Sequence, residues 1–195
     1  MAIVRGISAA LAVLVGVVAA TTAQAGERYA IDRSHTLVQF SVDRFGFNAI
    51  IGTFFNVEGS VLLDDATPSN SSVEARIVVA SLTSGDATRD GHLAGALWFN
   101  AARFPEMTFR STSVAVQGGN MARVTGDLTI LGVARPVTLD VRLNKRGIDP
   151  ATKLEAAGFS ATAQLKRSDF GMTTAGKLIG DEVQIRIEAL TLMTE

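Results

Sequence analysis

The sequence predicts an all-β fold, with about eight strands forming an antiparallel sandwich or up-and-down barrel and one short helix beside them. Three observations carry this. Apolar and polar residues alternate from Tyr29 onward, the period of a strand with one buried face. Turn-forming residues fall between the alternating runs. A single segment, 86–100, shifts to helical spacing.

Taken in order, the strands begin at Val38-Phe40-Val42, which alternate with Gln39, Ser41 and Asp43. The runs Val57-Gly59-Val61-Leu63 and Val73-Ala75-Ile77-Val79 follow, then a less regular, β-branched stretch from Met107 to Gln117. Val124-Gly126-Leu128-Ile130 and Val137-Leu139-Val141-Leu143 continue the pattern, and Phe159-Ala161-Ala163-Leu165 and Val183-Ile185-Ile187-Ala189 complete it. Gly118-Gly119-Asn120 predicts a hairpin, and Leu131-Gly132 a second tight reversal. Residues 64–70 and 147–153 read as surface loops. In the helical segment Leu93, Ala96 and Leu97 share one face and Asp86 can cap the start, while Gly91 and Gly95 keep it to two or three turns.

Upstream of the strands lies an export signal. Arg5 is a positive n-region, residues 7–20 are uncharged and apolar, and Ala23-Gln24-Ala25 supplies small residues for cleavage before Gly26. The apolar run is too short to span a bilayer, which takes roughly 18 residues or more. The expected organisation is a cleaved signal at 1–25 and one domain at 26–195. Cleavage removes only Arg5, so 18 basic residues become 17 against 19 acidic, a net charge of −2. That balance, without a basic stripe, argues against nucleic acid as a partner and against polybasic docking on lipid. The chain has no cysteine. Thiol catalysis, cysteine-ligated metal and a lipoprotein anchor are excluded with it, so the mature protein is expected to lack a stable membrane anchor.

Chemistry-bearing motifs are few. Asp32, Ser34 and His35 hold the residue types of a hydrolytic triad, but such triads are not usually assembled from near neighbours in sequence, and no nucleophile elbow accompanies them. The two histidines, His35 and His92, lie far apart without a paired ligand, so no metal or other cofactor is expected. Gly171 to Lys177 imitates a P-loop, yet Leu178 stands where the magnesium-binding hydroxyl belongs and a strand follows in place of a helix. Asn70-Ser71-Ser72 matches a glycosylation sequon, which matters only in a eukaryotic secretory host. Ten Phe, one Trp and one Tyr are more suggestive. An eight-stranded barrel can be filled by its side chains or can hold one ligand. Small inward residues (Gly59, Ala75, Gly126, Ala161 and Ala163) leave room, and composition alone leaves the two outcomes balanced.

At this point the chain resembles the YceI-like family. Tyr29-x-Ile31-Asp32 with Ser34-His35 and Val38-x-Phe40 is similar to the family's opening. Ser81-Leu82-Thr83 followed by Arg89-Asp90-x-His92-Leu93 matches its most specific block, as do Trp98-Phe99, Phe104-Pro105 and Thr108-Phe109-x-Ser111-Thr112. Gly126-Asp127-Leu128-Thr129-Ile130-x-Gly132-Val133, Pro136-Val137, Arg167-Ser168-Asp169-Phe170-Gly171 and Gly180-Asp181-Glu182-Val183 follow in order over residues 29–190.

The resemblance implies an extended eight-stranded antiparallel, lipocalin-like barrel that holds a long-tailed amphiphile, a polyisoprenoid or a fatty-acyl lipid, in the periplasm. It brings no catalytic residue, metal or cofactor. Envelope stress and isoprenoid or quinone metabolism are the settings considered, and pairing of two barrels is left open. The residues expected at the ligand are Phe40, Val42, Arg44, Phe45 and Phe54 from the first strands. Arg89, Asp90, His92, Leu93, Trp98 and Phe99 come from the helical segment, and Phe109, Phe159 and Phe170 from later elements. A lipid-modifying hydrolase using His35 or His92, and a filled structural barrel, are the alternatives. Two positions depart from the family. Arg44 stands where a histidine is frequent, and Leu97 where an acidic residue is frequent. An arginine beside the head group would favour phosphorylated or carboxylated heads.

Overall fold

The structure, a computed structural model, describes residues 26–194. The expected export signal lies outside them. Eleven strand segments form one antiparallel sheet: β1 (Glu27–Ile31), β2 (Leu37–Arg44), β3 (Asn48–Phe54), β4 (Val57–Leu63), β5 (Ser72–Val78), β6 (Leu82–Thr83), β7 (Glu106–Gly118), β8 (Met121–Ile130), β9 (Val133–Ile148), β10 (Glu155–Lys166) and β11 (Ile179–Met193). One helix, α1 (Ala87–Ala94), lies between β6 and β7.

These segments build eight staves. β1 and β2 are halves of one long strand, since both pair with β11, with Ile31 opposite Thr191 and Leu37 opposite Glu188. β3 and β4 are halves of the next, pairing with β2 and β1 respectively. Because the first strand pairs with both its successor and β11, the sheet closes into a lipocalin-like barrel with no free edge around most of its girth. The break between β1 and β2 has a local cause. Asp32 accepts a hydrogen bond from the Ser34 amide at 2.9 Å and holds Arg33–His35 in a 3₁₀ turn.

The turns follow the sequence. Gly118 and Gly119 both have positive φ in the β7–β8 hairpin, a conformation that glycine adopts without Cβ strain. α1 begins where Asp86 accepts from the Arg89 amide at 2.8 Å. It is shorter than the predicted segment because the chain turns extended at Gly95. Beyond that point Phe99 and Ala101 donate back to the carbonyls of Leu93 and Ala94, both at 2.9 Å, which folds Trp98 and Phe99 under the barrel. β9 runs through Gly147 and Ile148, further than the loop predicted at 147–153 allowed, because the long β9–β10 ribbon keeps pairing to Glu155 opposite Ile148.

Two ends result. One end, the base, gathers the β2–β3 turn, the segment after α1, the β8–β9 turn and the segment before β11. The Phe45 amide donates to the Leu178 carbonyl at 2.9 Å there, and Gly132 packs on the Phe104 ring. The other end, the mouth, gathers the β4–β5 loop, the β7–β8 hairpin and the far end of β9.

Candidate functional site

The alternating inward residues do not meet at the barrel axis. They enclose a cavity of about 550 Å³ that runs from Phe170 and Met172 at the base to Gly119, Asn120 and Met121 at the mouth. Its wall is aliphatic and aromatic along most of its length. All four inward residues of β9 predicted from the alternation (Val137, Leu139, Val141 and Leu143) line it, and so do the four of β10 and the four of β11.

Of the small residues expected to make room, Ala75, Ala161 and Ala163 line the cavity. The two glycines have another role, the close approach of neighbouring strands. A Cβ on Gly126 would stand 2.5 Å from the Arg110 carbonyl oxygen and 2.6 Å from the Phe109 ring. One on Gly59 would stand 2.0 Å from the Glu74 oxygen.

The base is sealed by aromatics. Phe40, Phe54 and Phe99 form a cluster with ring centroids 5.5 to 6.3 Å apart. Beneath them Arg167 is only 5% exposed. Its guanidinium donates to the carbonyls of Gly180 (2.9 Å), Met172 (2.7 Å), Thr174 (2.8 Å) and Ile179 (3.0 Å), and it lies 5.6 Å from the Trp98 ring centroid. This satisfies carbonyls of the irregular segment between β10 and β11 and of the first two residues of β11. The P-loop-like glycines lie in that segment, which leads into β11 without a helix.

The mouth is held by a different arginine. Arg146 donates to Asp65 at 2.7 and 2.9 Å and to the Tyr29 hydroxyl at 2.9 Å. It also pairs with Glu27 and lies 3.7 Å from Glu155. Burial opposes its charge, but the hydrogen bonds to Asp65 and Tyr29 outweigh that and push its pKa above the ordinary arginine value. Val116 lines the cavity here and is still 53% exposed, which marks this end as open.

Of the residues expected at a ligand, the cavity wall includes Phe40, Val42, Phe54, Leu93, Trp98 and Phe99, together with Phe109, Phe159 and Phe170. Arg44, Phe45, Arg89, Asp90 and His92 lie outside the cavity lining. The Arg44 guanidinium stacks 4.2 Å over the Phe45 ring on the exposed β2–β3 turn, so the premise of a head group beside it is not met. Leu97 is likewise exposed, on the base. Arg89 and Asp90 both serve Ser84. Arg89 donates to its hydroxyl and carbonyl at 2.8 Å each, and Asp90 accepts from its amide at 2.7 Å, which ties α1 to the end of β6. Sequence reasoning missed Arg146 and the catch it forms with Asp65. The pairing joins residues 81 apart, and an arginine in an alternating strand carries no local mark of it.

Asp32, Ser34 and His35 do meet, within their own 3₁₀ turn. His35 Nδ1 lies 2.6 Å from Asp32, and the Ser34 hydroxyl donates to Asp32 at 2.7 Å. The Ser34 hydroxyl also lies 3.0 Å from His35 Nδ1, the same ring nitrogen that faces Asp32, so serine and carboxylate share one nitrogen instead of flanking the imidazole as a triad requires, and the group sits on the outer surface. Among the described residues no cluster of potential metal ligands occurs, and no helix is long and apolar enough to cross a membrane.

Fold and cavity together define an up-and-down β-barrel with a hollow, apolar interior. The chain belongs to the YceI-like family, whose domain model matches residues 29–190. It is 39% identical over 170 residues to a UPF0312 protein of Pseudomonas putida, covering 86% of this chain and 88% of that one. It is 37% identical over 161 residues to Protein YceI of Salmonella arizonae, covering 82% and 83%. Among solved structures, BcnA of Burkholderia cenocepacia superposes with a TM-score of 0.74 at 30% identity, covering 82% of this chain and 98% of that one. A polyisoprenoid binding domain from Saccharophagus degradans shares the fold, with a TM-score of 0.64 at 16% identity, covering 85% and 98%.

Proposed function

We propose that this protein is a periplasmic binding or carrier protein that holds a long-tailed amphiphile, a polyisoprenoid or fatty-acyl lipid, inside its barrel. The observation that carries the reading is the continuous apolar cavity of about 550 Å³, a size suited to one organic guest. Each methylene moved from water into such a tube gains about 0.8 kcal/mol, so tail length supplies affinity and the few polar groups at the mouth orient the head. Phe40, Phe54, Phe99, Phe109, Phe159 and Phe170 are the proposed tail contacts.

Binding without turnover is the preferred form of this reading. The Asp32–Ser34–His35 turn is on the outer surface and His92 stands outside the cavity lining, so neither histidine reaches a guest in the tube. Export rests on residues 1–25, and the mature chain is expected to begin at Gly26. A role in envelope stress or in isoprenoid or quinone supply would follow from the identity of the lipid. Mass spectrometry of lipids extracted from protein purified out of its native host tests the proposal. Stoichiometric recovery of a prenyl or fatty-acyl lipid is expected. An empty barrel that ignores added prenyl and fatty-acyl ligands would refute it, and the intact mass of the same sample would report the mature N-terminus.

A further inference from the structure

The staves themselves measure how long the cavity is. On β7, β8 and β9 the lining residues nearest the base and nearest the mouth stand nine apart: Met107 and Val116, Ile130 and Met121, Val137 and Arg146. Nine steps of a β-strand cover about 30 Å. Strands of an eight-stranded barrel lean about 40° from its axis, which leaves about 23 Å along the axis. A volume of about 550 Å³ spread over that length has a cross-section of only about 24 Å².

An extended hydrocarbon chain has matching dimensions. It advances about 1.25 Å per carbon, from bonds of about 1.5 Å opened to about 111°. A close-packed methylene fills about as much space as a water molecule in the liquid, about 30 Å³. Length and volume then each give about eighteen carbons. The tube is therefore one chain wide. A second chain, or one tail folded back, would need twice the section, and a closed sheet cannot widen without losing strand pairing. The base gives no way onward, because Phe40, Phe54 and Phe99 close it and Arg167 is tied to four carbonyls beneath them. Further carbons must leave through the mouth, where they return to water and add nothing. We propose that the barrel takes a single-tailed lipid of about eighteen carbons, a long-chain fatty-acyl tail or about three to four isoprene units, and gains nothing from a second chain or a longer tail. This rests on the carrier reading and adds to it the number and length of the tails.

The only tryptophan, Trp98, lines the cavity and gives an intrinsic signal for the test. Straight-chain alcohols of about 10 to 24 carbons, delivered from cyclodextrin, are titrated into the mature protein while its fluorescence is read. One head group throughout leaves tail length as the only variable. Affinity is expected to rise about fourfold with each added carbon and to level off between about 16 and 20. Dioleoylglycerol is expected to bind no more tightly than oleyl alcohol, because its second chain stays in water. Phe99→Ala lowers the floor and should move the plateau to longer alcohols, once a thermal melt has confirmed that the variant is folded.

The wild-type series decides the matter even if Phe99→Ala does not fold. A plateau outside about 16 to 20 carbons, or no plateau, would overturn the inference while leaving the carrier reading intact. So would tighter binding of dioleoylglycerol than of oleyl alcohol, or a plateau unmoved in folded Phe99→Ala. Failure of every alcohol, geranylgeraniol included, to bind would remove the carrier reading and this inference with it.

Discussion

Phe99 meets Phe54 edge to face, with ring centroids 5.5 Å apart and planes at 89°. The first ring comes from the segment after α1 and the second from β3, so the contact fastens the base of the tube to its wall. Phe54 is buried, and Phe40 stands 5.9 Å from it on β2. Phe54→Ala is expected to lower stability by about 3–5 kcal/mol, because the space left joins an existing cavity and cannot collapse. Urea denaturation should show a lower midpoint at an unchanged slope. A midpoint equal to wild type would mean that the cluster does not fasten the base.

Ala161 faces the cavity between Val141 of β9 and Ile187 of β11. Ala161→Phe should leave the fold intact and shorten the guest that fits. Each methylene expelled from the tube forfeits about 0.8 kcal/mol, so losing two costs about tenfold in affinity. Titration with a prenyl alcohol series would show the loss growing with tail length; a loss equal for all lengths would argue against a tail along the axis.

Arg167→Lys keeps the charge and loses the planar fork that reaches four carbonyls. Stability should fall by about 3 kcal/mol or more, as buried carbonyls lose charged donors. Hydrogen exchange should speed up first in residues 171–180. Protection there equal to wild type would contradict the account of Arg167 as the organiser of that segment.

Acid should loosen the base. The Ser168 hydroxyl and amide hold the Asp181 carboxyl below the usual carboxylate range, and hydrogen bonds from Ser84 do the same for Asp90. A depressed folded pKa stabilises above the unfolded value, about 3.9, and that contribution is lost as pH falls through the folded value. Stability is therefore expected to be flat above about pH 4–5 and to fall below it, with a shallower fall in Asp181→Asn and Asp90→Asn. Melting curves against pH measure this, and identical acid slopes in all three proteins would contradict it.

Most of the barrel was legible in the sequence because period 2 persists wherever a strand faces the interior. Val137 to Leu143 and Val183 to Ala189 point into the tube as the alternation requires. β3 was not legible: Ala49-Ile50-Ile51 breaks the alternation, so the stave was expected only from Val57, where β4 begins. The helix was visible through Asp86 and Leu93, and its early end was set by Gly95. Whether the barrel was filled or hollow was not legible, since that depends on the diameter at which the sheet closes. Gly126 illustrates the difficulty: it reads as a missing side chain, but the neighbouring strand and the Phe109 ring occupy the place. Arg89 and Asp90 were recognisable as a motif, and only the structure shows both turned onto Ser84.

Closure of the ring through β11 has a consequence for how the molecule is made. Strands β1 and β2 near the start of the domain cannot complete their pairing until β11, some 150 residues later, is available. Hairpins such as β7–β8 can form early, but the seam is among the most non-local contacts in the chain, and such contacts form slowly. Until it shuts, the apolar wall faces water, and the growing sheet carries two open edges that invite association with other chains. The step that most needs protection during biogenesis is therefore the zipping of the first stave onto the last.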